Sequence, residues 1–239
     1  MSIIAFHPAN TRGHADHGWL NAHHSFSFAG YYDPSRIHFG ALRVLNDDIV
    51  AGGEGFGKHP HDNMEIITVV LEGSLEHKDS MGHTEAIYPN EVQVMSAGTG
   101  IFHSEYNHDD TEHVNLLQLW IFPDKKNVQP RYDQTYFEPA ERVNKLQKLV
   151  SPIGTEEVGL KIHQNARIYR STLEPGKTIT HQIYSTNHGV YVFVISGSID
   201  ANGQVLHKRD AAGISNTEAL ELTASQVSDV LLIEVPMQV

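Results

Sequence analysis

Short apolar runs punctuated by glycine, asparagine and aspartate recur along this chain, and that rhythm limits it to an all-β fold. The runs at residues 66–71, 92–95 and 114–121 are rich in β-branched and large apolar side chains. Asn46, Asp47 and Asp48 stand between apolar residues 41–45 and 49–50, which predicts a hairpin turn. Residues 79–82 predict another turn. Strand signals return at residues 160–163, 168–171, 190–195 and 230–235. Between the two sets, residues 123–159 lose alternation and gain Lys, Gln, Asn and Pro, the mark of a connector. Glu138, Pro139, Ala140 and Glu141 predict the start of a short helix running towards Lys148. The expected division is an N-terminal unit, residues 1–135, and a C-terminal unit, residues 136–239. Gly197-Ser198 opens a segment with the rhythm of Gly73-Ser74: a short strand, then a turn glycine. The units therefore read as repeats.

Composition narrows the chemistry. The 239 residues suffice for one large domain or two small ones. A net charge of −12 argues against direct nucleic-acid binding and supplies no polybasic membrane segment. No run approaches the roughly 18 apolar residues of a membrane span. There is no cysteine, so disulfides, thiolate metal sites and a Cys nucleophile are excluded. The short apolar start has no basic lead and does not read as a secretory signal; a soluble cytoplasmic protein is expected. Serine-hydrolase and zincin motifs are missing.

Histidine is the outlier, at 17 residues. Most are surface or hydrogen-bonding groups, but His59-Pro60-His61 and His103-Ser104-Glu105 stand apart. On a strand, residues i and i+2 point to one face, so each pair aims two ligand groups at one place. Three imidazoles and a carboxylate can hold one divalent transition metal and leave room for a substrate. The alternative is a polar, hydrogen-bonded core. The segment from Gly53 through His59, His61 and Glu65 to Gly73 closely follows the first cupin motif, and Gly100, His103 and Asn107 fit the end of the second. Glu65 departs from the usual motif spacing, and a one-residue shift on a strand turns a side chain away. Glu105 is the better carboxylate. The candidate ligands are thus His59, His61, His103 and Glu105.

Beyond these motifs the chain resembles the pirin family, a bicupin group. The resemblance is carried by residues 12–20, His24-Ser-Phe-Ser-Phe28, Tyr32-Asp33-Pro34, residues 41–48, 59–65 and 95–100, then Trp120-Ile121 and Ser151-Pro152. It is dense over residues 10–122. It implies two interlocking antiparallel cupin β-barrels joined by a short helical connector, with a mononuclear metal site in the N-terminal one. The family's His-x-His and His-x-Glu ligands fall on His59, His61, His103 and Glu105 without substitution. The second unit offers only His181 at the corresponding place, so no metal is expected there.

Some bacterial members oxidise the flavonol quercetin with O₂, and the eukaryotic namesake is an iron-dependent transcriptional coregulator. The resemblance therefore implies a quercetin 2,3-dioxygenase-type oxidoreductase acting on a flavonol-like aromatic and O₂. Glu105 is the candidate catalytic base, because a carboxylate can loosen from a metal and accept a hydrogen bond. The expected cofactor is one divalent ion, Fe²⁺ foremost, with Zn²⁺, Co²⁺, Ni²⁺, Cu²⁺ and Mn²⁺ also suited to an N/O site. The rivals are a metal-responsive regulator acting through a protein partner and a cupin enzyme for another small molecule. Because ligating imidazoles must be neutral, metal loss is expected below pH ~6.5.

Four other features compete for a role. Gly53, Gly55 and Gly57 mimic a phosphate loop, but a strand follows where a helix is needed. His108-Asp-Asp-Thr-Glu-His113 reads as a solvated acidic turn. His14, His17, His23 and His24 read as a terminal tie between units or as the edge of a cavity. Trp19, Phe26 and Phe28 read as core or as the wall of an aromatic pocket.

Overall fold

The computed structural model describes residues 2–238. The fold is all-β with two cupin-like units, each combining a seven-stranded sheet with a four-stranded one. In the first unit the smaller sheet runs Gly55–His61, Ile101–Asn107, Leu75–Asp79, Thr84–Ile87. In the second it runs Thr178–Gln182, Ala219–Ala224, Ser198–Ala201, Gln204–His207. The Gly-Ser rhythms at 73 and 197 therefore open the same hairpin in both units. The hairpin turn expected at 79–82 lies between Leu75–Asp79 and Thr84–Ile87.

Several strands read as unbroken apolar runs because both of their faces are buried. In Val114–Ile121, Leu116 packs inside the first unit with Val50, Val70, Leu75 and Ile87. Its neighbours Leu117, Leu119 and Ile121 face the other way, into a cluster with Tyr191, Phe193, Leu231 and Ile233 of the second unit. The two seven-stranded sheets thus pack back to back, and two-sided burial erases the period-2 pattern. One edge crosses between the units. Ile3–His7 pairs with Ala211–Ser215 in the second unit's sheet, while Arg131–Tyr136 closes the first unit's sheet beside Glu91–Ser96.

Three sequence expectations are corrected. Asn46, Asp47 and Asp48 are not a turn but the middle of one strand, Leu42–Val50. They tolerate that position because tertiary partners satisfy two of them. Asp47 accepts from Arg12 Nη1 at 3.1 Å and Asn115 Nδ2 at 3.1 Å, with Arg209 Nε at 3.3 Å. Asn46 Oδ1 lies 2.9 Å from His24 Nδ1. The stretch 123–159 is not all connector, since Arg131–Tyr136 and Gln147–Pro152 are sheet strands. The expected helix is one 3₁₀ turn, Pro139–Arg142, which stops well short of Lys148. Among the described residues no helix is long and apolar enough to cross a membrane.

Candidate metal centre

The antiparallel pair Gly55–His61 and Ile101–Asn107 sets the two histidine motifs side by side, with His103 opposite His59 and Ile101 opposite His61. His103 and Glu105 are buried while Phe102 and Tyr106 are exposed, the alternation the strand argument requires. The register shifts between His103 and Glu105, so Glu105 lies opposite Phe56 and the extra residue falls in the glycine-rich partner. Gly55 is needed there: a Cβ would sit 2.3 Å from the Glu105 carbonyl oxygen. This is the tight backbone packing expected of these glycines.

The three imidazoles converge. Ring centroids are 4.9 Å apart for His59–His61, 4.4 Å for His59–His103 and 4.8 Å for His61–His103. Their ligand nitrogens lie within 4.8 Å of one another. Glu105 falls in a second group of the same tightness, with His103 and His77. The four expected ligands are thus brought together as two groups sharing His103, and His77 is an addition that sequence reading missed.

Hydrogen bonds orient these groups. His59 Nδ1 lies 2.7 Å from the Gly57 carbonyl and donates to it, which leaves Nε2 free to ligate. His103 Nδ1 is 3.5 Å from His77 Nδ1, and His77 Nε2 is 3.3 Å from Asp79 Oδ2. With His77 donating to Asp79, its Nδ1 accepts from His103, whose Nε2 keeps its lone pair. Asp79 also accepts from His83 Nδ1 at 2.8 Å. Burial would raise the Asp79 carboxyl, but these bonds hold it below its usual range. Gln118 Nε2 donates to Glu105 Oε2 at 2.7 Å, and Trp120 Nε1 donates to Gln118 Oε1 at 3.2 Å, fixing the amide. What remains is His103 Nε2 and Glu105 Oε1, both buried without a partner. Orphaned acceptors of this kind are costly unless something electropositive meets them. A sulfur-free set of imidazoles and a carboxylate fits a divalent transition metal.

His77 supports His103 from behind without facing the cavity. His77→Ala is expected to weaken metal affinity about 10–100-fold while leaving the ligands in place, read by titration against a competing chelator. Unchanged affinity would remove the orienting role.

Burial, then His103 and His59, lower His61 to about 4. Burial, then His59 and His77, lower His103 to about 3. Lowered imidazole pKa values mean that protons compete with a metal only at lower pH. Bound metal should therefore persist at pH ~6 and be released as pH falls towards ~4, below the free-imidazole value of ~6.5. Metal content after dialysis across that range checks this; full release at pH ~6 would contradict it.

Glu65 is turned away, as its position in the strand required. It is buried and accepts from Ser96 Oγ at 2.7 Å, and burial pushes it up to about 7. His181 of the second unit sits in Thr178–Gln182, the strand matching Gly55–His61, but is closed off by Glu234, 2.7 Å away. Glu234 also lies 3.0 Å from His188 Nδ1.

A cavity of about 430 Å³ opens onto the centre, with His59, His61 and Glu105 in its wall. Trp19, Phe28, Phe56 and Trp120 supply aromatic walls, and Asn46, Asp48 and Gln118 the remaining polar groups. A second cavity of about 560 Å³ adjoins it, sharing Phe28, Asn46, Asp48 and Phe56 and reaching His14, His17, His24 and Tyr31. His14, His17 and His24, though not His23, do border a cavity, and Trp19 and Phe28 are pocket residues, whereas Phe26 is core. His108 and His113 lie near Glu76 and Glu72 on exposed loops. Asp48 is a site residue hidden by the false turn signal. Burial, then Asp47 and Glu105, push its carboxyl up to about 8.

This fold and site define a two-domain cupin with a candidate metal centre in its first domain. Residues 5–121 match the Pirin family model, and residues 148–235 match that of the quercetinase C-terminal cupin domain. The chain is 44% identical to quercetin 2,3-dioxygenase of Escherichia coli (strain K12), over 98% of this chain and 99% of that protein. The crystal structure of bacterial pirin YhhW from Escherichia coli in complex with nickel(II) superposes with a TM-score of 0.93 at 44% identity, covering 99% of this chain and 100% of that one. Quercetin 2,3-dioxygenase from Acinetobacter baumannii shares the fold at 20% identity and a TM-score of 0.77, over 98% of this chain and 86% of that one. The chain belongs to the pirin family.

Proposed function

We propose that this protein is a metal-dependent dioxygenase that opens a flavonol with O₂ and releases carbon monoxide. The observation that carries this reading is an aromatic-walled cavity with His59, His61 and Glu105 in its wall and His103 beside them. The names of its relatives and the nickel complex of one of them support it. His59, His61, His103 and Glu105 would hold one divalent ion, Fe²⁺ foremost. His77 is disfavoured as a ligand because both of its nitrogens already have partners. When bound, the metal supplies Lewis-acid activation of the flavonol 3-hydroxyl.

The protein's own groups do the rest. Trp19, Phe28, Phe56 and Trp120 exclude water from the planar substrate. Glu105 would take the hydroxyl proton at Oε1, the oxygen Gln118 leaves free, on loosening that oxygen from the ion. Both atoms of O₂ enter the products, and one ring carbon leaves as carbon monoxide. The chemistry belongs to the N-terminal unit, residues 1–135, with residues 136–239 as its support.

The test is reconstitution with Fe²⁺, Co²⁺, Ni²⁺, Cu²⁺ or Zn²⁺ while quercetin loss, O₂ uptake and carbon monoxide are followed. All three should appear in equal amounts. Metal-loaded protein without turnover would favour a regulator that binds a protein partner, or a different substrate.

A further inference from the structure

The strand Leu42–Val50 places two acidic residues side by side with opposite fates. Asp47 points away from the cavity and is met by Arg12, Arg209 and Asn115. Asp48 points the other way and lines both cavities where they adjoin. Its backbone carbonyl is taken by Asn115 Nδ2 at 3.0 Å. Its side-chain Oδ1 has no such support: it is buried without a hydrogen-bond partner among the described residues. An unsupported buried carboxyl lowers stability, so a chain that carries one at a cavity wall has placed a hydrogen-bonding group for a guest.

A guest that fills both chambers is long. Glu105 and the histidines border only the first chamber, while Asp48, Asn46, Phe28 and Phe56 border both. A flat molecule presented to the metal ligands at one end and extending into the second chamber crosses the shared wall that Asp48 lines with Asn46, Phe28 and Phe56. We propose that Asp48 is the specificity-determining residue of this site, hydrogen-bonding a ring hydroxyl of the substrate other than the one directed at the metal centre. The substrate class is thereby narrowed to polyhydroxylated flavonols, which rests on the flavonol reading above. In either protonation state the carboxyl accepts a hydrogen bond from a phenol, so the assignment does not depend on its titration.

The test uses the nickel-loaded full chain and two probes. Quercetin carries hydroxyls on its outer rings, and 3-hydroxyflavone carries only the one expected to face the metal. Affinity is read from quenching of Trp19 and Trp120 fluorescence, with KM and kcat measured alongside. In Asp48→Leu, quercetin affinity should fall about tenfold, the effect of one lost hydrogen bond. Affinity for 3-hydroxyflavone should fall far less, and Asp48→Asn should recover most of the quercetin loss. Equal losses for both probes, or no loss for either, would overturn the assignment. Wild-type protein that binds neither probe would instead overturn the flavonol reading, and the assignment with it. Nickel content and near-ultraviolet circular dichroism of each variant separate these results from misfolding.

Discussion

Alanine at position 59 should abolish stoichiometric metal binding and reduce flavonol consumption to the metal-free level. His59 stands opposite His103 with ring centroids 4.4 Å apart, and its Nδ1 is committed to the Gly57 carbonyl. Its only role in this arrangement is to present Nε2. Removing it leaves two imidazoles, His61 and His103, and one carboxylate oxygen, a smaller donor set from which the group opposite His103 is missing, so metal affinity should fall steeply. His59 is half-exposed and outside the apolar clusters, so the cost to folding should be within about 1 kcal/mol. Isothermal titration with Ni²⁺ and a denaturant melt of the same sample separate the two effects. A variant that binds one metal with wild-type affinity would show that His59 is not a ligand.

Glutamine at position 105 should keep the metal and lose the reaction, with turnover falling about 100-fold or more. Trp120 holds the Gln118 carbonyl, so Gln118 must offer its NH₂ to residue 105. A glutamine there must answer with its carbonyl, which puts its own NH₂ where Glu105 Oε1 now stands unpartnered. A proton acceptor becomes a donor at the one point that needs a base. The three imidazoles still hold a metal, more weakly. Turnover should be compared at full metal occupancy, and an unchanged rate there would rule out Glu105 as the base.

The metal motifs were legible because the strand period is local. His59, His61, His103 and Glu105 each sit where i, i+2 alternation puts them, and the same parity turned Glu65 towards Ser96. The residues that escaped notice depend on distant partners. Asn46-Asp47-Asp48 has the composition of a turn, and distant partners, His24, Arg12, Asn115 and Arg209, hold it in a strand. None of those partners is a sequence neighbour. The signal for His77 was present, since His77-Lys78-Asp79 has the same spacing as the two ligand pairs. It was masked by the turn reading of residues 79–82. The connector was overestimated because Arg131–Tyr136 is an edge strand with little burial and thus little apolar alternation.

The central claim is that one metal is held by His59, His61, His103 and Glu105. X-ray absorption at the metal edge of nickel-loaded protein, paired with an anomalous difference map, tests it most directly. The expected result is a single site per chain with three imidazole nitrogens and one carboxylate oxygen, centred between the strands Gly55–His61 and Ile101–Asn107. A metal held through His77, or one lying outside this strand pair, would contradict it.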